Sequence, residues 1–300
     1  MQLTHLDIKN WKNFQRAELN FCERAFIVGP NASGKSNLLD VFRFLRDIVK
    51  QAGGLQHAVE RRGGVAKLRC LSARQESDIS ISVALSSTFD DPTPEWRYSL
   101  TFRHTGGGIS KSEALILEEK VWQREKLIKD RKNHERDKDE EWKFTHLEQP
   151  TANKKFRTIY SFFQDIQYLH VVPQLIREAD SYILTSEKED YFGRNLLETM
   201  SQKNKKTRDA YFRRINEFLK IAVPQLEEMS FVIDQKNGTP HLQAKYKHWR
   251  AYGGKQQEQQ FSDGTLRLIG FLWAILDGSG LILLEEPELY LHAAIIKQLA

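Results

Sequence analysis

Cysteine is nearly missing from this chain: Cys22 and Cys70 are the only two in 300 residues, and their separation matches neither a metal-ligand nor a redox motif. That excludes a disulfide framework and predicts two reduced structural thiols. No apolar run approaches the ~20 residues of a membrane-spanning helix. Met1-Gln2-Leu3 leads into strand-like sequence rather than a secretory leader, so a cytoplasmic protein without membrane contact is expected. Nor is there an excess of one charge. Lys and Arg number 45 against 40 Asp and Glu, a formal +5, which leaves contact with nucleic acid open without arguing for it, because an electrostatic footprint needs its charges on one face. No a/d repeat persists for three heptads, which excludes a long coiled-coil arm. The length suits one large domain or two closely joined ones.

What is present is more specific. Gly29 to Ser36 reads Gly-Pro-Asn-Ala-Ser-Gly-Lys-Ser and fits the P-loop pattern G-x-x-x-x-G-K-[ST] at every fixed position. The run Arg24-Ala25-Phe26-Ile27-Val28 before it predicts a buried strand, and Asn37 to Lys50 repeats apolar residues at helical spacing. Gly29 and Gly34 admit backbone angles and a close approach that a side chain would block. Gly29, Pro30, Asn31, Ala32, Ser33, Gly34, Lys35, Ser36 and Asn37 are therefore the candidate phosphate cradle, aided by the positive end of the following helix. Lys35 is expected to reach the β and γ phosphates, and the Ser36 hydroxyl to ligate magnesium. The implied ligand is ATP with Mg2+.

A second cluster lies near the other end. Gln260-Phe261-Ser262-Asp263-Gly264-Thr265 precedes the apolar stretch Leu266 to Leu276, the form of a capped helix. Ser262 or Asp263 can serve as N-cap, and Gly264 leaves the helix start clear so that backbone donors face an anion. Leu281 to Leu284 then reads as a buried strand ending in Glu285-Glu286-Pro287, a Walker B pattern. Carboxylates belong there because α/β sheets bind ligands at the carboxyl ends of their strands. Glu285 would hold the magnesium, directly or through water, and Glu286 would orient and polarise the attacking water.

Three stretches carry a resemblance. "LTHLDIKNWKNFQRAELNF" followed by "FIVGPNASGKSNLLDVFRFL" resembles the amino terminus of ABC-type ATPases of the RecF, structural-maintenance-of-chromosomes and OLD-like group, and "FSDGTLRLIGFLWAIL" resembles their signature motif in its OLD-like form. The Glu-Glu-Pro form of Walker B is also similar to the OLD-like members, although many relatives have aspartate where Glu285 stands. The resemblance implies that Lys12 contacts phosphate, whereas on its own it reads as an exposed loop lysine. It also implies that Gln174, after the expected strand Gln167 to Val172, touches magnesium and the attacking water. The other reading of Gln174 is a polar residue in a Pro-led turn. Ser262, Asp263 and Gly264 would meet the γ phosphate held by a second subunit's P-loop, so that ATP joins two heads into a homodimer or higher homo-oligomer. Glu286, Lys35 and Gln174 are thus the catalytic candidates, and Ser36, Glu285 and Gln174 the metal candidates. Glu288 to His292 resembles the family's D-loop, with Ala293 where its proline usually follows; His292 is read as structural. The family's last strand is not reached before Ala300, so the chain is read as a C-terminally incomplete head.

Between these motifs, Ile79 to Ser87, Trp96 to Phe102 and Ala114 to Trp122 alternate apolar and polar residues, separated by Asp90-Asp91-Pro92 and a hairpin turn at Gly106 to Gly108. They predict an antiparallel sheet. Glu118 to Glu141 mixes charges of both signs and predicts a solvated hairpin end or mobile insertion. After Tyr191 to Met200, Thr207 to Ile221 reads as a helical stretch ended by Pro224, and Asn237-Gly238 as a hairpin turn. The basic residues from Lys203 to Arg214 fit either a DNA contact or a solvated helix face.

The resulting expectation is an α/β, ABC-type P-loop ATPase head with a mixed or parallel core sheet, an antiparallel β subdomain and a helical signature lobe. Its segments are residues 1–60 (amino-terminal strands, Walker A and helix), 61–150 (antiparallel sheet with charged insertion), 151–255 (helical lobe and hairpin) and 256–300 (signature helix, Walker B, D-loop). The expected function is an ATP-hydrolysing switch that controls a separate effector, a nuclease or toxin, in bacterial defence or DNA surveillance. The alternatives are a RecF-like repair ATPase that binds DNA directly and a scaffold that binds ATP with little turnover.

Overall fold

The computed structural model describes residues 1–73, 78–105, 113–133, 139–178, 190–247 and 254–289. The Gly106 to Gly108 turn, His292 and Ala293 lie outside the described residues. The chain divides into two compact units, Met1–Ile166 and Gln167–Ala300.

The first unit is built on a six-stranded sheet. Strands β1 (Gln2–Trp11), β2 (Phe14–Asn20), β3 (Ile79–Ser86), β4 (Trp96–Thr105), β5 (Glu113–Gln123) and β6 (Lys126–Lys132) take the order β2-β1-β3-β4-β5-β6, every pairing antiparallel. Leu3 is out of phase with Leu6 and Ile8, so a regular strand would send it to the opposite face. A register shift between Leu3 and His5, where β1 pairs with β3, lets all three be buried. Across the sheet lie helices α1 (Lys35–Val49), α2 (Leu55–Glu60), α3 (Val65–Leu68) and α4 (Arg157–Gln164). Phe44 of α1 meets Trp11 edge-on at 5.1 Å and stacks on Phe102 at 5.6 Å, which fixes α1 against the sheet.

Two expectations need correction here. The run Arg24 to Val28 is neither a strand nor buried: Phe26 is 65% and Val28 92% exposed. An apolar run becomes a strand only where it pairs with a neighbour's backbone, and Arg24 to Val28 takes no place in the order β2-β1-β3-β4-β5-β6. The charged run is a hairpin as expected, with opposite charges facing across it at Glu118–Lys132, Glu119–Arg131 and Lys120–Asp130. It is not wholly solvated, because Glu119 is fully buried.

In the second unit, β7 (Gln167–Leu169) is followed by α5 (Pro173–Arg177), α6 (Leu196–Gln202), α7 (Lys205–Ala222), β8 (Leu226–Ile233), β9 (Pro240–Tyr246), β10 (Gln256–Gln257), α8 (Asp263–Asp277) and β11 (Ile282–Leu284). The hairpin β8-β9 turns at Gly238, whose φ of 75° explains a glycine there. β11 pairs in parallel with β7, matching Leu283 to Tyr168. A parallel pair of this kind needs an intervening crossover, and α5 to α8 lie within it. Phe212, Ile215, Leu266, Ile269 and Phe271 belong to this unit's buried core.

Candidate functional site

In the first unit the P-loop runs into the N-terminus of α1. Gly34 has a φ of 104°, and a Cβ there would stand 2.3 Å from Asn13 Nδ2, so both backbone and packing demand glycine. A Cβ on Gly29 would stand 2.8 Å from Ser33 Oγ. Asn31, Ala32 and Ser33 are exposed, and Ala32 holds a left-handed φ of 63°. No side chain caps α1, which leaves its first-turn amides turned toward the loop. The Lys35 ammonium donates to the carbonyls of Gly29 at 2.7 Å and Pro30 at 2.9 Å, drawn over the loop rather than away from it. Ser36 follows on the first turn of α1.

The turn between β1 and β2 braces this loop. The indole of Trp11 donates to the Asn37 carbonyl at 2.9 Å, Asn13 Nδ2 donates to the Ser33 carbonyl at 3.1 Å, and Asn37 Nδ2 donates to Asn13 Oδ1 at 2.8 Å. Lys12 lies between these two anchors, and its ammonium pairs with Asp40 at 2.6 Å. Asn13 and Trp11 are positioning residues that the motif did not reveal, because their bonds span 20 and 26 residues.

The second unit carries the other candidates. Ser262 is the N-cap of α8: its Oγ accepts from Thr265 N at 3.2 Å and meets Thr265 Oγ1 at 2.8 Å. Gly264 sits in the first turn of that helix. Asp263 turns toward α5, pairing with Arg177 at 2.5 Å and accepting from Gln174 Nε2 at 3.3 Å. The structure thus brings Gln174 and Asp263 together. It adds Arg177, which also donates to the Phe261 carbonyl at 2.6 Å.

At the end of β11, Glu285 N donates to the Leu169 carbonyl at 3.1 Å, extending the parallel ladder by one residue. Its carboxylate accepts a hydrogen bond from the Tyr168 hydroxyl. Glu286 then breaks from the strand at a φ of 48°, which leaves its side chain 48% exposed and 4.0 Å from His170 Nε2. The Glu286 carbonyl accepts from Arg267 of α8 at 3.0 Å. Tyr168, His170 and Arg267 escaped sequence reasoning. The one available signal was the charge of Arg267 inside an otherwise apolar helix.

A family described as "AAA domain, putative AbiEii toxin, Type IV TA system" matches residues 24–300. The chain belongs to this AAA-domain family. No curated protein matches significantly. Among solved structures, the AAA domain is similar to an Smc head bound to the C-winged helix domain of ScpA, at 16% identity and a TM-score of 0.56, covering 99% of this chain and 84% of that one. It also aligns with the Smc head domain with an extended coiled coil from Pyrococcus furiosus, at 12% identity and a TM-score of 0.48, covering 99% and 85%. The first likeness shows the fold: a mixed α/β ABC-type ATPase head with a large sheet, in which this AAA-family ATPase domain is structurally similar to SMC heads. Among the described residues, no helix is long and apolar enough to cross a membrane.

Proposed function

We propose that the chain binds ATP with Mg2+, hydrolyses it, and uses the cycle to join and separate a pair of heads in the cytoplasm. The observation that carries this reading is the P-loop. It has an uncapped α1, a left-handed Gly34 that a side chain cannot replace, and a Lys35 ammonium drawn over the loop. These features fit a polyphosphate: backbone amides for its oxygens and a mobile cation for its outer groups.

The donor set also fits magnesium. Ser36, Glu285 and Gln174 offer hydroxyl, carboxylate and carboxamide oxygens, the hard ligands that Mg2+ prefers. Bound there, it would neutralise charge on the β and γ phosphates. Lys35 and Lys12 bind the same oxygens, and Glu286 orients a water for in-line attack and receives its proton. The β-γ bridging bond then breaks to leave ADP and phosphate. Ser262 and Gly264 at the start of α8 would meet the γ phosphate of the opposite copy.

Control of a separate effector, a nuclease or toxin in bacterial defence or DNA surveillance, is favoured over direct DNA binding by the state of the basic region. Lys203 pairs with Asp277 at 2.5 Å, and Arg208 donates to the carbonyls closing α6 while lying 4.5 Å over Phe231. The groove of about 450 Å³ beside α7 mixes Arg213, Lys220 and Lys245 with Glu217, Glu227 and Glu228. That groove is balanced rather than an electrostatic footprint, although Lys205, Lys206 and Arg214 are exposed outside it.

Light scattering with Glu286→Gln tests the reading. The variant is expected to be dimeric with ATP and monomeric with ADP, and adding Lys35→Ala is expected to abolish the dimer. Hydrolysis at the parent rate by Glu286→Gln would remove Glu286 from its role, and a mass unaffected by ATP would remove the switch.

A further inference from the structure

Asp40 lies in the second turn of α1, at a position that the helical pattern alone would assign to packing. It is 6% exposed, yet it meets three cations, Arg62, Lys12 and, more loosely at 3.9 Å, Arg43 of the same helix. Arg62, just beyond α2, grips it with both arms of its fork, Nε to Oδ2 at 2.9 Å and Nη2 to Oδ1 at 2.9 Å. Lys12 Nζ lies 2.6 Å from Oδ2. Burial alone would push the Asp40 carboxyl up, but the hydrogen bonds and charge of Arg62, with those of Lys12, outweigh it and hold the group below its usual range.

Arg62 and Lys12 are held very differently. Arg62 is fixed: its remaining arm donates to Asp47 Oδ2 and to the Ala58 carbonyl, both at 2.8 Å, and its guanidinium packs on the ring of Phe44. Such a bidentate pair is geometrically specified. Lys12 is anchored at its backbone only. Its N–H donates to the Leu68 carbonyl at 2.6 Å, its φ is 49°, and Trp11 and Asn13 on either side hydrogen-bond to residues of the P-loop and α1. Its side chain is a point charge on a flexible stem with a quarter of its surface in solvent. Lys12 can therefore leave Asp40 without stranding a buried carboxylate, because Arg62 continues to neutralise it.

We propose that Asp40 is a positioning residue that competes with bound phosphate for Lys12, holding the ammonium aside until a triphosphate draws it away. This rests on the reading of the P-loop as an ATP site with Lys12 among its ligands. The consequence is a raised threshold. ATP, with one more phosphate than ADP, draws Lys12 from Asp40 more fully and so bears more of the cost of breaking the pair, whereas a nucleotide that engages Lys12 weakly leaves the pair largely intact.

Calorimetric titration of the full chain with ATP and with ADP, in a double-mutant cycle of Asp40→Asn and Lys12→Met, tests this. Asp40→Asn is expected to bind ATP roughly three- to tenfold more tightly, the range for directly coupled groups, and ADP more tightly by a smaller factor. In the Lys12→Met background the same substitution is expected to change neither affinity. Asp40→Glu is expected to restore the parent values. Lys12→Met alone, which leaves the Arg62 fork in place, guards against a folding defect: it is expected to weaken ATP more than ADP. An Asp40→Asn effect that persists without Lys12, or a weaker ATP affinity in folded Asp40→Asn, overturns the proposal while leaving the ATP site standing. Failure of the parent chain to bind ATP overturns both.

Discussion

Arg267 Nη1 donates to the main-chain carbonyl of Glu286 at 3.0 Å, linking the apolar helix α8 to the acidic end of β11. Arg267 is 3% exposed, so its side chain has little freedom to find another position. Glu286 needs such a restraint, because its left-handed φ of 48° is unfavourable for a residue with a Cβ.

Replacing Arg267 by Met keeps most of the buried stem and removes the grip. Since this bond reaches the backbone of the proposed water-orienting residue, steady-state ATPase assays on Arg267→Met are expected to show kcat lowered roughly 10- to 100-fold, as for a small misplacement of a catalytic group. Equilibrium ATP affinity is expected to stay within about twofold. Equal losses in both would show that Arg267 supports the fold rather than the placement of Glu286.

A pair of substitutions separates backbone requirement from mere loop composition. Gly34→Ala places a Cβ at a φ of 104° and against Asn13, and is expected to destabilise the chain by about 1–3 kcal/mol in urea melts and to weaken ATP at least about tenfold. Ala32→Gly relieves a left-handed alanine at φ 63°, and is expected to lie within about 1 kcal/mol of the parent because relief and added chain entropy offset each other. Indistinguishable behaviour of the two variants would contradict the geometry.

These cases show where the sequence was legible. The P-loop and the Glu285-Glu286 strand end were readable because each is a contiguous pattern whose chemistry depends on local backbone. The partners were not. Tyr168 meets Glu285 across a parallel pairing, and Lys12 meets Asp40 across a turn and a helix, so neither contact leaves a periodic trace. Arg24 to Val28 misled for the opposite reason: apolar content says that a strand can be buried, not that a neighbour is available. The mixed charges of Glu118 to Lys132 concealed one that faces inward, Glu119, which accepts from the Tyr98 hydroxyl at 3.1 Å and from the amides of His146 and Leu147.

That same region predicts a pH dependence. Burial pushes the Glu148 carboxyl up from 4.5 to about 7, against the hydrogen bonds from Leu55 N and Thr145 and with help from the charge of Glu119. The folded state therefore holds this proton more tightly than the unfolded chain, and stability is lost as pH rises from about 4.5 through 7. The loss is on the order of 2 to 3 kcal/mol. His146 acts in the opposite sense: burial, then Lys129 and Arg131, lower it from 6.5 to about 4, so its contribution is lost as pH falls through that window. Glu148→Gln removes only the first effect. In thermal melts, its Tm relative to the parent is expected to rise steadily from pH 4.5 to 7; a constant difference would mean that Glu148 titrates normally.

Arg177 offers a test of the signature region that does not depend on the chemistry of hydrolysis. It joins Asp263 at 2.5 Å and the Phe261 carbonyl at 2.6 Å, so it holds both sides of the Ser262 cap from α5. Removing it frees Asp263 and loosens the start of α8 while leaving the P-loop unaltered. Arg177→Met is expected to keep parent ATP affinity by calorimetry. In the Glu286→Gln background it is expected to weaken ATP-dependent dimerisation by about tenfold or more, the cost of losing one partner of a partly buried, hydrogen-bonded charge pair at an interface. Dimerisation at parent strength would exclude the Ser262 to Gly264 segment, as Arg177 positions it, from the contact between copies. A loss of ATP affinity without a change in dimerisation would place Arg177 at the nucleotide instead.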